Sequence, residues 1–320
     1  GATSTGTVTT VKTTVEGTLK GAVATALVPK ETLTSMLYSA KKAETSGQKA
    51  FIEITVTAPK NATEVTVEMP RTAFSQIAGE TNADVSFKSP LATLTFDEKA
   101  IQSVNGAGAG DISITIAKVD SAQLSDEARE LVGDRPVFDF SVKAGSAEIT
   151  SFKGGNVNVS IPYTLKAGED PAAVVVYYID SAGAMKAVRG SYNSSTGTVD
   201  FNTGHFSKYA VGYNKQSFRD VGESKWYYDA VTFLAARGIT TGTSDGVFSP
   251  SAKLTRAQFL VMALRAYGIE ADTSKASNFS DAGSTYYTGY LAAAKRLGIS
   301  NGDGKGNFLP NAKITRQDMF

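Results

Sequence analysis

From Phe218 onward the sequence writes the same pattern twice, and a repeat of that size limits what this part of the chain can fold into. Phe218-Arg219-Asp220-Val221 returns as Phe279-Ser280-Asp281-Ala282, and Gly238-Ile239 as Gly298-Ile299. Gly242 returns as Gly302, Phe248-Ser249-Pro250 as Phe308-Leu309-Pro310, and Leu254-Thr255-Arg256 as Ile314-Thr315-Arg316. In each copy an aromatic, Trp226 or Tyr286, opens a helix over Tyr228–Ala236 or Tyr290–Leu297, with apolar residues three and four apart. Gly238 and Gly298 stand where a left-handed helix-ending residue is wanted. A Gly/Asp/Asn-rich loop follows, and Thr255 or Thr315 then caps a second helix. That helix runs about Arg256–Tyr267 in the first copy and is cut off at Phe320 in the second. A helix-loop-helix of this size cannot bury its own apolar face, so each copy needs a neighbour.

The first two hundred residues follow a different rule. Short alternating runs dominate, among them Thr7–Thr14, Phe51–Thr57, Glu64–Met69, Asp111–Val119, Asn156–Thr164, Thr198–Asn202 and Lys208–Tyr213. Helical patches interrupt at Lys30–Glu44, Pro70–Gly79 and Ser121–Val132. The pattern predicts an α+β chain: an antiparallel β-sandwich-rich N-terminal region followed by all-α helix-loop-helix repeats. The expected divisions are 1–49 (N-terminal strands and a helix, part of the β-rich region), 50–213 (β-sandwich), 214–275 (first repeat) and 276–320 (second repeat, truncated).

Composition excludes several functions. A net charge of +1 without a Lys/Arg block gives no electrostatic pull on nucleic acid. The absence of cysteine removes disulfides, thiol catalysis and Cys-based zinc sites, and a lone histidine, His205, rules out a multi-histidine metal site. No cofactor or metal is expected. No apolar run approaches the ~20 residues of a membrane span. The opening GATSTGTVTT is not a signal peptide, so the chain reads as an internal piece of an exported protein.

The repeated residues resemble the S-layer homology family: Phe-x-Asp-Val, the Trp/Tyr-opened helix, Gly-Ile-Thr-x-Gly, the Phe-x-Pro turn and the Thr-Arg-Ala-Gln start of the second helix, over about 216–320. Members of that family usually carry three repeats, packed as a three-pronged bundle that binds wall polysaccharide in grooves between prongs. The resemblance implies non-catalytic anchoring of a surface protein in the cell wall or S-layer of a Gram-positive-type bacterium. The implied partner is a secondary cell-wall polysaccharide or peptidoglycan-linked glycan, with a further repeat to be found and a β-rich spacer or adhesion module in front. An anionic glycan needs directional cations, and the planar fork of arginine fits a carboxylate. Arg256 and Arg316 lie in the first turn after a Thr cap, where backbone N–H groups add positive potential. The resemblance implies that they line the sugar grooves with Asp220, Asp281 and Trp226. The structural alternative makes Asp220 a turn cap, Trp226 a core residue and the arginines surface residues.

Residues 50–213 resemble the β-sandwich module that often precedes such repeats in bacterial surface enzymes. Locally, His205-Phe206-Ser207 is similar to the self-cleaving GAIN family. There His205 would act as general base, Ser207 as nucleophile and the Phe206 carbonyl as the group attacked. The alternative puts Phe206 in the core, Ser207 in a turn and His205 at a strand end. A carbohydrate-binding module of a surface glycoside hydrolase is a further reading of the β-region, but Tyr177-Tyr178 lies in a Val-rich, core-like strand and the one Trp belongs to the repeat. The loop Asn301–Asn307 has a superficial calcium-loop spacing that turn chemistry explains better. No paired-carboxylate or nucleophile-elbow context marks a conventional enzyme.

Overall fold

The computed structural model describes residues 7–274 and 277–319. The chain divides into two compact units: a β-rich unit ending at Gly212, and a C-terminal unit taking Tyr213 onward together with Ala172–Val174 and Ala187–Arg189. The expected repeat boundary at 275/276, residues 1–6 and Phe320 lie outside the described residues.

In chain order the β-rich region contains β1 (Val8–Glu16), β2 (Thr18–Lys20), β3 (Val23–Leu27), α1 (Lys30–Thr45), β4 (Lys49–Thr57), β5 (Glu64–Met69), α2 (Arg71–Glu80), β6 (Asp84–Lys88), β7 (Thr93–Phe96) and α3 (Glu98–Asn105). It continues with β8 (Ile112–Lys118), α4 (Asp126–Val132), β9 (Val137–Ala144), β10 (Ala147–Glu148), β11 (Val157–Pro162), β12 (Val174–Ile179), β13 (Met185–Val188), β14 (Gly190–Asn193), β15 (Thr198–Thr203) and β16 (Lys208–Tyr213). Period-2 sequence becomes period-2 burial: along β4, Ala50, Ile52, Ile54 and Val56 are buried while Phe51, Glu53 and Thr55 are half-exposed.

Two sheets result. One has the order β1-β4-β6-β7-β11-β15-β14, and the other β13-β12-β16-β9-β8-β5-β3-β2, with β10 added on β9. The purely antiparallel expectation needs correction, because β1–β4, β4–β6 and β3–β5 pair in parallel. From β3 to β6 the chain alternates between the sheets, β3-α1-β4 and β5-α2-β6. Each strand therefore rejoins its own sheet only after an excursion through the other, long enough to reverse direction twice. β1 and β3, in the segment 1–49, are thus built into the same sheets as later strands.

Helix α3 has no counterpart in the sequence-based expectations. Asp97 builds it: one carboxylate oxygen accepts the Ala100 amide at 2.7 Å and the other the Asn156 amide at 3.0 Å. The patch expected at Ser121–Val132 is a 3₁₀ turn, Ser121–Gln123, followed by α4. Side chains from both sheets meet in an aromatic cluster. Phe206 lies 5.7 Å from Phe96 on β7, 5.8 Å from Phe140 on β9 and 4.9 Å from Phe152, ring centre to ring centre.

The C-terminal unit contains α5 (Tyr228–Ala236), α6 (Arg256–Ala266), α7 (Thr288–Arg296) and a closing 3₁₀ turn, Gln317–Met319. Gly238 and Gly298 take φ of 65° and 69°, ending α5 and the turn after α7. Thr255 and Gln258 form a full capping box at the start of α6. In place of the truncated second helix the second copy has the short turn, where Thr315 Oγ1 accepts the Asp318 amide and Asp318 in turn accepts from Thr315 N. The core confirms that one copy cannot bury itself. Ala257, Leu260, Val261 and Leu264 of α6 pack with Phe279, Ala282, Tyr287, Leu291, Ala294 and Phe308 of the second copy.

Candidate functional site

Each repeat builds the same turn, held by its aspartate. Asp220 accepts the amides of Phe248 and Ser249 at 2.9 and 2.7 Å, and Asp281 accepts those of Phe308 and Leu309 at 2.8 and 2.8 Å. Ser249 and Leu309 take φ of 62° and 59°, a costly left-handed conformation for a residue with a Cβ, and the carboxylate clamps compensate. The amides of Phe248 and Ser249 hold the Asp220 carboxyl below the usual carboxylate range. Gly242 and Gly302 complete the turns, since a Cβ there would lie 2.3 and 2.2 Å from the carbonyl oxygens of Val247 and Asn307. Both aspartates therefore serve the backbone with both carboxylate oxygens. In the Asn301–Asn307 loop, Asp303 likewise receives the amides of Lys305 and Asn307 and the Asn307 side-chain amide.

The turn of the first repeat forms one wall of a groove of about 720 Å³, closed on the far side by Tyr286 and Lys313 of the second repeat. Thr240, Thr243, Ser249 and Gln258 bring polar groups into its lining, while Lys253, Arg265 and Lys313 bring positive charge. No Asp or Glu is among the described lining residues. Arg265 is oriented by its Nε–H bond to the Tyr290 hydroxyl, 3.1 Å, and lies over the Tyr290 ring. Lys253 and Lys313 make no ion pair among the described residues.

The expected arginines part company. Arg256 turns into the second repeat. Its Nε–H donates to the Phe308 carbonyl at 3.1 Å, its Nη1 pairs with Asp318 at 3.0 Å, and its guanidinium lies over the Phe308 ring. Backbone bonds run beside it, from Arg256 N to Ala312 O and from Ala257 N to Pro310 O. Arg316, at the equivalent position, is exposed, and its guanidinium has no partner among the described residues. Trp226 is not a core residue: it is 92% exposed, edge-on to Tyr227, just as exposed Tyr286 stands edge-on to Tyr287. Each helix opened by two aromatics presents the first, while the second is buried at Tyr287 and half-buried at Tyr227. The repeat pattern marks Tyr286 only as a helix opener and does not single out Lys253, Arg265 or Lys313. The signal available was the lysine two residues before each capping threonine.

At the other candidate, His205 and Ser207 do not engage each other among the described residues. Ser207 Oγ donates to the Ile179 carbonyl at 3.3 Å, while His205 Nδ1 faces the Tyr209 hydroxyl at 3.4 Å and the His205 ring meets Tyr178 edge-on. Burial pushes the Tyr209 phenol up to about 12, and its hydroxyl is shared with Thr203 and the His205 carbonyl. Phe206 is buried. Attack on the Phe206 carbonyl requires the Ser207 hydroxyl to leave Ile179. No group of three or more His, Asp or Glu side chains that could hold a metal occurs among the described residues, and no described helix is long and apolar enough to cross a membrane.

Duplicated carboxylate-clamped turns, each followed by a Thr-capped start, with the first start packed on the second copy, define a repeat module. Residues 217–260 and 278–320 match the S-layer homology domain, and this part of the chain belongs to that family. The chain is 35% identical to an amylopullulanase of Thermoanaerobacterium thermosulfurigenes over 57% of its own length and 10% of that protein's. It is 35% identical to an S-layer protein of Bacillus thuringiensis subsp. finitimus over 32% of its length, 13% of that protein's. An endoglucanase of Bacillus sp. (strain KSM-635) is 40% identical over 33% of this chain and 11% of its own. The chain thus spans 10 to 13% of the length of these relatives. The amylopullulanase match is longer than the whole stretch from Tyr213 to the end, so it includes part of the β-rich region.

Proposed function

We propose that this chain anchors a larger bacterial surface protein to the cell wall, its repeats gripping an anionic wall polysaccharide, with the β-rich region as a sandwich-like spacer in front of the anchor. The carrying observation is the groove between the repeats: three cationic side chains, several hydroxyls, one exposed tyrosine ring and no carboxylate. Fixed cations select a negatively charged substituent, hydroxyls and amides suit sugar oxygens, and a ring offers a stacking face. In this reading Asp220 and Asp281 shape the grooves, Arg256 sets the spacing of the walls, and Trp226 takes the place in its own groove that Tyr286 holds here. Arg316 supplies an unused fork to the next groove. Ile299 is 48% exposed where its counterpart Ile239 is 7% exposed, which supports a further repeat packing on the second as the second packs on the first. Similarity to two named glycoside hydrolases supports an enzyme as one parent for such an anchor.

The test is co-sedimentation with purified cell walls, before and after chemical removal of their secondary polymer, beside a Lys253→Ala/Arg265→Ala/Lys313→Ala variant. Binding to intact walls that falls with added salt and with the triple substitution is expected. Binding unchanged by both, or retained on stripped walls, refutes the groove. Binding to neutral cellulose, xylan or starch through the β-rich unit would instead make that unit a carbohydrate-binding module.

A further inference from the structure

Among the described residues β1 forms one edge of the seven-stranded sheet. It pairs with β4 through all nine residues, from Val8 against Lys49 to Glu16 against Thr57, and no strand among the described residues pairs with its other side. The strand lacks proline and glycine, and every residue except Lys12 and Glu16 is Val or Thr. Alternate N–H and C=O groups along such an edge point outward and form a template for another strand. Neither face of β1 is fully buried, so a strand added along Lys12–Glu16 would also cover Val15.

Edges of this kind are commonly guarded by a lysine, because a second strand would have to approach its charge. Lys12 stands in the middle of β1 with 66% of its side chain exposed, 3.4 Å from Glu53. A second copy paired antiparallel about Lys12 would set lysine against lysine. Sliding the centre to Thr14 sets Lys12 opposite Glu16 of the second copy, and two-fold symmetry makes that contact twice. The shift is by an even number of residues, so the faces match. Lys12, Thr14 and Glu16 stay on the side of Glu53 and Thr55, and Val11, Thr13 and Val15 on the side of Ile52 and Ile54. In this register the guard becomes a contact.

We infer that β1 is a self-pairing edge: two copies of the chain join antiparallel through β1, with Lys12 of each opposite Glu16 of the other. The inference is independent of the wall-binding groove and would multiply the anchors on a surface.

The experiment is sedimentation velocity of the whole chain over a concentration series, beside Lys12→Glu and the charge swap Lys12→Glu/Glu16→Lys, with circular dichroism confirming the fold of each. The wild-type chain should dimerise reversibly, Lys12→Glu should weaken the dimer about tenfold, and the swap should restore it. Glu53 faces the substituted carboxylate in both variants, so rescue by the swap reports the contact between copies. A wild-type chain that stays monomeric overturns the inference. So does a dimer indifferent to Lys12→Glu, or one that the swap fails to restore.

Discussion

Replacing Arg256 by alanine distinguishes a side chain that touches glycan from one that holds the groove together. Three interactions disappear at once. The Nε–H bond to the Phe308 carbonyl, 3.1 Å, has a charged donor and stabilises by about 1.5–3 kcal/mol. The Asp318 pair is solvent-screened, with 20% and 33% of the two side chains exposed, and adds little. The Phe308 ring, 5.1 Å away, adds about 0.5–1 kcal/mol. These terms share one guanidinium and do not sum fully, so about 2–3 kcal/mol is expected. The affected bonds join the two repeats, which makes native-state hydrogen exchange the appropriate assay. The amides of Arg256, Ala257 and Ile314 donate across the joint to Ala312, Pro310 and Leu254. They should exchange about 30- to 150-fold faster in Arg256→Ala, while amides of β8 and β9 remain unchanged. Arg316→Ala should leave the same amides unaffected. Unchanged exchange in Arg256→Ala combined with lost wall binding would refute this reasoning and make Arg256 a direct glycan ligand.

Asp220 has its folded-state pKa depressed by the Phe248 and Ser249 amides, so its contribution is present above the unfolded value near 3.9 and is lost as pH falls through the folded value. Thermal melts should therefore show the C-terminal unit weakening below about pH 4, with a shallower decline in Asp220→Asn; Asp272, Asp303 and Asp318 are depressed in the same sense and keep some slope. Phe206→Ala empties the centre of the aromatic cluster and should cost the β-rich unit about 3–5 kcal/mol in urea unfolding, a loss under 1 kcal/mol being incompatible with the packing described. With Ser207 bonded to Ile179, the denatured chain and its Ser207→Ala variant should each give one full-length mass, and two fragments meeting at Phe206-Ser207 in the wild type alone would reverse that expectation.

Local signals carried much of the outline. α5 coincides with its expected range, and β5 and β16 run from Glu64 to Met69 and from Lys208 to Tyr213 as alternation predicts. The helix-ending glycines and the Thr255 cap are likewise written in the sequence, because cap and turn chemistry acts over four or five residues. α3 was invisible for the opposite reason. Its N-terminus depends on Asp97 bonding at once to Ala100 and to Asn156, which is distant in sequence. Strands β6, β13 and β14 are only four or five residues long, too short for periodicity to separate them from loop.

The sequence by itself determined that the C-terminal part is a duplicated helix-loop-helix module that needs neighbours, because a repeat, its caps and its apolar spacing are all one-dimensional facts. Tertiary structure alone decided which cations meet in the groove. Lys253 and Lys313 lie a full repeat apart in sequence and face one groove only because α6 packs on the second copy. It also decided that Arg256 is engaged at the joint while the Arg316 guanidinium meets no partner among the described residues, although both follow a capping threonine. Their local sequences are alike, and the difference is what stands in front of each side chain: Phe308 and Asp318 for Arg256, and none of the described residues for Arg316. Side-chain partners across a repeat interface depend on how two apolar faces seat, and that information is distributed over both copies rather than carried by either motif.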